Sequence, residues 1–211
     1  MLWSGLFLAL LLIAACAHPA ASASLTDEPD KRPDLTAPFI DAPSYEEALR
    51  LWRSPEDINA WIGARFRYDM QRAMRFAASE RAKGASPAIL EPAGLFMGHQ
   101  GMCVDLARFA VETLRKVSSA ANPRYVRIRF EPLVINGKTL ESHWLAMFEH
   151  DGKLFFFADS KRPGYIAGPY GTTEAFMTEY AAYRGRRIVS FDERDSFTRR
   201  MRSGAVKRGS Q

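Results

Sequence analysis

Apolar residues recur at helical spacing in the first part of the chain. The segment 58–66 carries large apolar side chains every three or four residues, which predicts an amphipathic helix. Ser54 followed by Pro55 is typical of a helix start, because serine caps the first turn and proline fits its first position. We therefore predict a helix from Pro55 to about Arg67, with a continuation toward Arg81 left open.

Three further segments have helical signatures. Ser44 precedes a short amphipathic stretch, 45–52, and Glu47 stands at the capping-box position. Apolar residues trace one face of 103–116, and threonines before 174–180 offer a cap for another helix. We expect each of these segments to be helical.

The second half of the chain instead alternates polar and apolar residues, which predicts strands. The predicted strands span 124–135, 143–149, 153–159 and 187–192. Asn136-Gly137 and Asp151-Gly152 are strong turn signals between the first three. Helices followed by antiparallel strands predict an α+β domain.

Two segments show neither helical spacing nor strand alternation of apolar residues. Ile89 to Gly101 contains Glu91-Pro92-Ala93-Gly94, so we expect an ordered loop, part of a longer loop over 84–101, that leads into Cys103 and shapes a cleft. Glycines and a proline over 164–171 predict a second loop.

The start of the chain has the pattern of an export signal. Its apolar run is too short to be a comfortable membrane span and is followed by small residues. Ile13-Ala14-Ala15-Cys16 resembles a bacterial lipobox, which implies a signal peptide over 1–15 and a lipid on the Cys16 sulfur. An ordinary signal cut nearby is the alternative. The lipobox implies a lipoprotein that faces the periplasm, and Ala17 fits outer-membrane sorting in a Gram-negative cell.

Composition divides the remainder of the chain. Residues 16–38 are rich in Ala, Pro, Ser and Asp and predict a flexible tether, 39–197 form one domain by length, and 198–211 form a basic tail. The net charge of +5 owes much to that tail. The sequence has no basic patch interleaved with aromatic residues, the pattern that would indicate nucleic-acid binding. No ligand spacing indicates zinc or calcium, and we predict neither metal nor cofactor.

An ordered trio of side chains suggests chemistry. With Cys16 lipidated or removed, Cys103 is the only free thiol, which excludes a structural disulfide. Cys103 opens a predicted helix, whose positive end favours a thiolate. The backbone N–H groups there, with the Gln100 side chain, are candidate oxyanion donors, and Gly101 leaves room for a substrate backbone.

His143 and Asp159 complete the trio only in one hairpin register. A three-residue turn ending at Gly152 places them directly opposite each other, about 4.5–5.5 Å apart at Cβ. That register also pairs Glu149 with Lys153, which favours it. A two-residue turn sends His143 and Asp159 to opposite faces of the sheet. The catalytic hypothesis therefore requires the longer turn or a bulge.

Each residue also has a structural interpretation. A lone cysteine on a helix is more often packing, and a histidine or aspartate at a strand end is more often a satisfied polar group. His99, four residues before Cys103, is a rival base. His150 lies in a turn and is expected to be exposed, and His18 lies in the tether. Asp105 is equally well a capping acid or a functional group. The order of the trio and its helix-start setting favour a site.

Four sequence stretches together resemble the transglutaminase-like, papain-like superfamily. They are Gly101-Met-Cys103-Val-Asp-Leu-Ala-Arg-Phe-Ala-Val-Glu-Thr-Leu, Arg124-Tyr-Val-Arg-Ile, His143-Trp-Leu-Ala-Met-Phe and Gly152-Lys-Leu-Phe-Phe-Phe-Ala-Asp159. The resemblance implies a helix with the nucleophile Cys103, packed on an antiparallel sheet with the general base His143 and its orienting partner Asp159. The chain is most similar to the bacterial transglutaminase-like cysteine proteinases. Some of these need calcium and have an acid directly before the cysteine, where this chain has Met102.

Three functions are compatible with these residues. The first is an exported, lipid-anchored thiol hydrolase that cleaves peptide or amide bonds of a protein or peptide substrate. The second is a non-catalytic envelope module that keeps the cleft for binding. The third is acyl transfer to an amine instead of water. All three place the protein at the membrane through its lipid, and none involves nucleic acid.

Overall fold

The computed structural model describes residues 39–82, 87–135 and 138–197. The predicted signal peptide, Cys16 and its lipid, the tether with His18, the Asn136-Gly137 turn and the basic tail lie outside the described residues. Within the three described ranges, no helix combines the length and the apolar character needed to cross a membrane.

The described residues form an α+β domain, which confirms the predicted fold class. The helices are α1 (Tyr45–Leu51), α2 (Pro55–Arg65), α3 (Met70–Ala82), α4 (Pro92–Gly98), α5 (Cys103–Val117) and α6 (Thr173–Arg184), with a short 3₁₀ turn at Ser119–Ala121. The strands are β1 (Arg67–Tyr68), β2 (Gln100–Gly101), β3 (Arg124–Ile135), β4 (Lys138–His150), β5 (Lys153–Phe157), β6 (Ala167–Tyr170) and β7 (Ile188–Arg194). Five strands form an antiparallel sheet in the order β6-β5-β4-β3-β7, and β1 pairs in parallel with β2.

The sheet is covered on both faces, and alternation along β4 assigns its residues to one face or the other. Trp144 and Ala146 belong to an apolar cluster with residues of α1, α2, α4 and α5. Leu145 and Met147 belong to a second cluster, to which α6 contributes Tyr180. The helix that carries Cys103 therefore packs on an antiparallel sheet, as predicted.

The segment toward Arg81 forms a separate helix, α3, and the helix predicted from Pro55 to about Arg67 is α2, which ends at Arg65. Its start is confirmed, because Ser54 and Asp57 form a reciprocal capping box. Phe66 is extended, and the N–H of Arg67 donates to the carbonyl of His99 at 2.7 Å. The pairing of β1 with β2 therefore interrupts the helical pattern before α3 begins.

The loop prediction for Ile89 to Gly101 is wrong. Pro92 is the first residue of α4, where its missing N–H would have no intrahelical partner in any case. A left-handed residue, His99 at φ 58°, then ends α4 and leads into β2. The predicted loop over 164–171 contains β6 for a related reason, since Pro169 is tolerated on an edge strand.

The prediction of a three-residue turn between β4 and β5 is also wrong. Ala146 pairs with Phe157 and His150 with Lys153, so two residues form the turn. Asp151 and Gly152 have φ angles of 49° and 70°, the positive values that tight hairpins require. Glu149 is ion-paired with Arg124 at 2.8 Å, and Leu154, not Lys153, is its cross-strand partner.

Candidate active site

A buried histidine–carboxylate pair lies at the end of β5. Nε2 of His143 and Oδ1 of Asp159 are 2.9 Å apart, and each residue is 5% exposed. The pair forms despite the two-residue turn because β5 ends at Phe157. Ala158 then adopts a left-handed backbone, φ 57°, and redirects the chain so that Asp159 reaches His143.

Four groups surround the Asp159 carboxylate besides His143. Its Oδ1 accepts the N–H of Lys161 at 2.9 Å, and its Oδ2 accepts the Tyr180 hydroxyl at 2.9 Å. Nε of Arg162 lies 3.7 Å from Oδ2, and Arg184 lies behind Tyr180. Burial alone raises the pKa of the Asp159 carboxyl, but the hydrogen bond and charge of His143, with Arg184 and the Lys161 N–H, outweigh it and hold this pKa below its ordinary range.

This geometry fixes the roles of the two imidazole nitrogens. An ionised carboxylate accepts hydrogen bonds and donates none, so Nε2 of His143 carries the proton that faces Asp159. Nδ1 is then the basic nitrogen of the neutral ring. The ring of Tyr180 stacks on the imidazole, with centroids 6.2 Å apart and planes 18° apart, which limits rotation of His143.

Cys103 is the first residue of α5, so its predicted helix-start position is confirmed. Its thiol is free of any disulfide and is half-buried. The side chain packs against the apolar cluster that contains Trp144 and Ala158, the residues next to His143 and Asp159 in sequence. The N-terminal end of α5 places backbone N–H groups and a positive dipole at this cysteine.

Asp105 connects the start of α5 to two other segments. Its fully buried carboxylate accepts the N–H of Met102 at 2.8 Å, as a capping acid does, and the N–H of Leu90 at 2.8 Å. Nη1 of Arg72, on α3, forms an ion pair with it at 2.5 Å, and Arg72 also donates to the Ala88 carbonyl. We call Asp105, Arg72 and the bonded backbone of residues 88–90 and 102 the α5 clamp. Of the two interpretations of Asp105, capping is the one its contacts bear out.

The oxyanion expectations have separate outcomes. A Cβ atom on Gly101 would lie 2.7 Å from Cδ1 of Leu95 and 3.1 Å from Cβ of Asp105. The glycine therefore serves close packing of β2 against α4 and α5, and the expectation that it leaves room for substrate is wrong. Gln100 is exposed on β2, directly before that glycine, and its role as an oxyanion donor stays a prediction.

The described histidines differ in their partners. The half-buried ring of His99 contacts Trp61 edge-on, with centroids 5.8 Å apart. His150 is exposed, as predicted, and lies 3.4 Å from the equally exposed Asp151. Of the three, His143 has the buried carboxylate partner expected of a general base.

The described residues show no candidate metal centre, and a cavity among them lies away from the pair. Among the residues that the structure describes, no three or more His, Cys, Asp and Glu side chains gather in a way that could hold a metal ion. A cavity of about 530 Å³ opens where the start of α2 meets the β4–β5 hairpin, with Arg53, Phe148 and His150 in its lining. Its β4 residues are about 17 Å or more along the strand from His143 at about 3.3 Å per residue.

Sequence reasoning missed the contribution of α6. Tyr180 and Arg184 are four residues apart, which places them on one face of a helix. That spacing was visible in the sequence, but it does not show against which face of the sheet α6 packs. The structure places this face against Asp159.

Acid titration tests the assignment of Asp159. Because its folded pKa lies below the ordinary value, its contribution to the free energy of unfolding is fully present above the unfolded pKa of about 4. That contribution decreases as the pH falls from about 5 toward the folded pKa. We expect Asp159→Asn to lower the free energy of unfolding at pH 7, and the difference from the parent chain to shrink as the pH falls.

Urea unfolding between pH 7 and pH 3 measures this difference. Asp151→Asn, at an exposed turn position, is the control and should change the free energy of unfolding little at any of these pH values. A pH-independent deficit in Asp159→Asn would contradict a depressed pKa.

Comparison with known proteins gives limited similarity. No family model matches the chain, and no curated protein sequence matches it. Among solved structures, calcium-bound LapG of Legionella pneumophila is similar with a TM-score of 0.36 and 17% identity, over 72% of this chain and 73% of that chain. EGTA-treated LapG gives a TM-score of 0.29 and 16% identity, over 72% of this chain and 82% of that chain. At these scores neither likeness assigns a role to any residue.

Proposed function

We propose that this protein is a thiol hydrolase of the transglutaminase-like, papain-like kind that cleaves peptide or amide bonds. Cys103 is the nucleophile, His143 is the general base and then the general acid, and Asp159 orients His143. The buried hydrogen bond between His143 and Asp159 is the observation that carries the proposal. Asp159 holds the imidazole through Nε2, which leaves Nδ1 of the same ring as the base.

Each step of the proposed reaction uses one of these groups. Nδ1 of His143 takes the thiol proton, and the Cys103 sulfur attacks the carbonyl carbon of the substrate. Backbone N–H groups at the start of α5 and the Gln100 amide stabilise the oxyanion. The carbon–nitrogen bond breaks, and His143 donates its proton to the leaving amine. Water, deprotonated by His143, then cleaves the thioester, releases the acid and restores the thiol.

The lengths of the elements support a meeting of Cys103 with His143. The chain just beyond α5 contacts the end of β4, where Nδ2 of Asn122 lies 3.3 Å from Oε1 of Glu149. The 15 residues of α5 extend back from there by about 21 Å at 1.5 Å per residue. At about 3.3 Å per residue, that length spans about six residues of β4. We therefore propose that α5 runs alongside β4 from the level of His143 toward Glu149.

The proposal also specifies where the sulfur approaches the ring. The body of α5 packs on the sheet face of Trp144, whereas the His143 ring lies toward α6. Pairing of β4 with β5 ends at Ala146 and Phe157, so β5 no longer flanks β4 at His143. We propose that Sγ and Nδ1 meet at this edge of β4. Export and a lipid on Cys16 are also part of the proposal, and residues 1–16 are their basis.

Alkylation of Cys103 tests the proposed pair without knowledge of the substrate. Only the thiolate reacts with iodoacetamide, so a thiolate stabilised by imidazolium is labelled at low pH. At pH 6 we expect Cys103 to react at least about tenfold faster than free cysteine, and His143→Gln to remove this advantage. Mass spectrometry of tryptic peptide 84–108 measures labelling at Cys103 separately from Cys16.

His150→Gln is the matched control, since it removes an exposed imidazole from the same strand. Labelling of Cys103 no faster than free cysteine, with no response to His143→Gln, would favour a non-catalytic binding module. A fluorescent primary amine added to a peptide library separates the remaining alternatives, because acyl transfer incorporates the amine and hydrolysis does not.

A further inference from the structure

A tyrosine and an arginine on α6 lie behind the His143–Asp159 pair. The Tyr180 hydroxyl donates to Oδ2 of Asp159 at 2.9 Å, and Nη1 of Arg184 donates to the Tyr180 oxygen at 2.9 Å. Tyr180 is 1% exposed and Arg184 is 6% exposed. A hydrogen-bonded chain thus runs from a buried guanidinium through a phenol and a carboxylate to the imidazole.

The chemistry of these groups fixes the direction of every hydrogen bond in the chain. Arginine donates and never accepts, so the Tyr180 oxygen must accept from Arg184. The single phenol proton is then directed to Asp159, which accepts. Burial, and next the charge of Asp159, raise the pKa of Tyr180 well above its ordinary value, so the phenol keeps this proton across the working pH range.

We propose that Tyr180 is a positioning residue of this site: its hydroxyl, oriented by Arg184, holds Asp159 and tunes the basicity of His143. The inference rests on the proposed function, because it needs His143 to act with Cys103. It adds α6, on the sheet face opposite α5, to the machinery that sets the protonation state of the pair.

The remaining charges near the pair determine the sign of the effect. Facing Asp159 are His143 from β4, Tyr180 and Arg184 from α6, and, from its own loop, Arg162 and the N–H of Lys161. Removing the hydroxyl leaves the arginines in place but takes one hydrogen bond from Oδ2. More of the carboxylate charge then acts on His143, which stabilises the imidazolium and raises the pH at which His143 loses its proton.

The pH profile of Cys103 alkylation reports that proton loss. In a thiolate–imidazolium pair the rate rises once when the ion pair forms and again when the imidazolium deprotonates. We expect Tyr180→Phe to move the second inflection upward by about 0.5 to 1 pH unit. Tyr170→Phe is the matched control, since it removes a phenol that bonds to Glu179 instead of Asp159, and it should leave both inflections in place.

The outcomes separate this inference from the proposed function. Two inflections in the parent chain that stay unchanged in Tyr180→Phe, with only a lower melting temperature, would make Tyr180 purely structural and overturn the inference while the proposed function stands. If alkylation of Cys103 in the parent chain shows a single inflection, at the pKa of an ordinary thiol, both the inference and the proposed function are overturned. Arg184→Met removes the positive charge behind Tyr180 and should move the second inflection in the same direction. This variant tests the inference if Tyr180→Phe does not fold.

Discussion

Replacing Cys103 by serine is expected to lower peptide hydrolysis by about four orders of magnitude or more. Serine keeps the size of the side chain but is a much weaker nucleophile at neutral pH, since its hydroxyl does not ionise as a thiol does. Cys103 is half-buried at the first residue of α5, so we expect the free energy of unfolding to change by less than about 1 kcal/mol. Product formation from a peptide library, followed by mass spectrometry, measures the hydrolysis.

Non-additivity makes this test specific for a catalytic unit. If Cys103 and His143 act together, His143→Gln should remove nearly as much activity as Cys103→Ser, and the double variant should lose no more than either single variant. His150→Gln should retain full activity. Residual hydrolysis in Cys103→Ser close to that of the parent chain would exclude this cysteine as the nucleophile.

Local signals predicted the regular elements well where one period dominates. Apolar spacing and caps located the starts of α2 and α5, and alternation located β3. The errors arose where one residue type supports two structures. Pro92 stops a helix in its interior but starts one at its first turn, so the same proline was compatible with a loop and with α4.

In the candidate site, too, local features could be predicted from the sequence and tertiary contacts could not. The helix-start position of Cys103 is a local property and followed from the sequence. The contact between His143 and Asp159 was inferred from a hairpin register that does not exist, and it forms because Ala158 is left-handed. Alanine gives no warning of a positive φ angle, so no sequence rule marks this residue. The place of Tyr180 depends on the packing of α6, which is a tertiary property.

The α5 clamp should be the most sensitive point for stability. Asp105 is fully buried and bonds two backbone N–H groups and Arg72, whose side chain is 13% exposed. Asp105→Ala removes these partners at once and leaves a guanidinium and two N–H groups without their acceptor. We expect the free energy of unfolding to fall by about 3 to 5 kcal/mol, the range for breaking a buried ion pair from one side.

Asp57→Ala is the matched control, because Asp57 also caps a helix, α2, from the third position but is only half-buried. It should cost about 1 kcal/mol, as loss of a cap does. Arg72→Met combined with Asp105→Ala should lose less than the sum of the single changes, since neither charge is then left unpaired. Urea unfolding of the parent chain and the four variants measures these losses, and equal losses for Asp105→Ala and Asp57→Ala would show that Asp105 is an ordinary cap. If the clamp also positions the nucleophile, Asp105→Ala should slow Cys103 alkylation at pH 6 at temperatures where it remains folded.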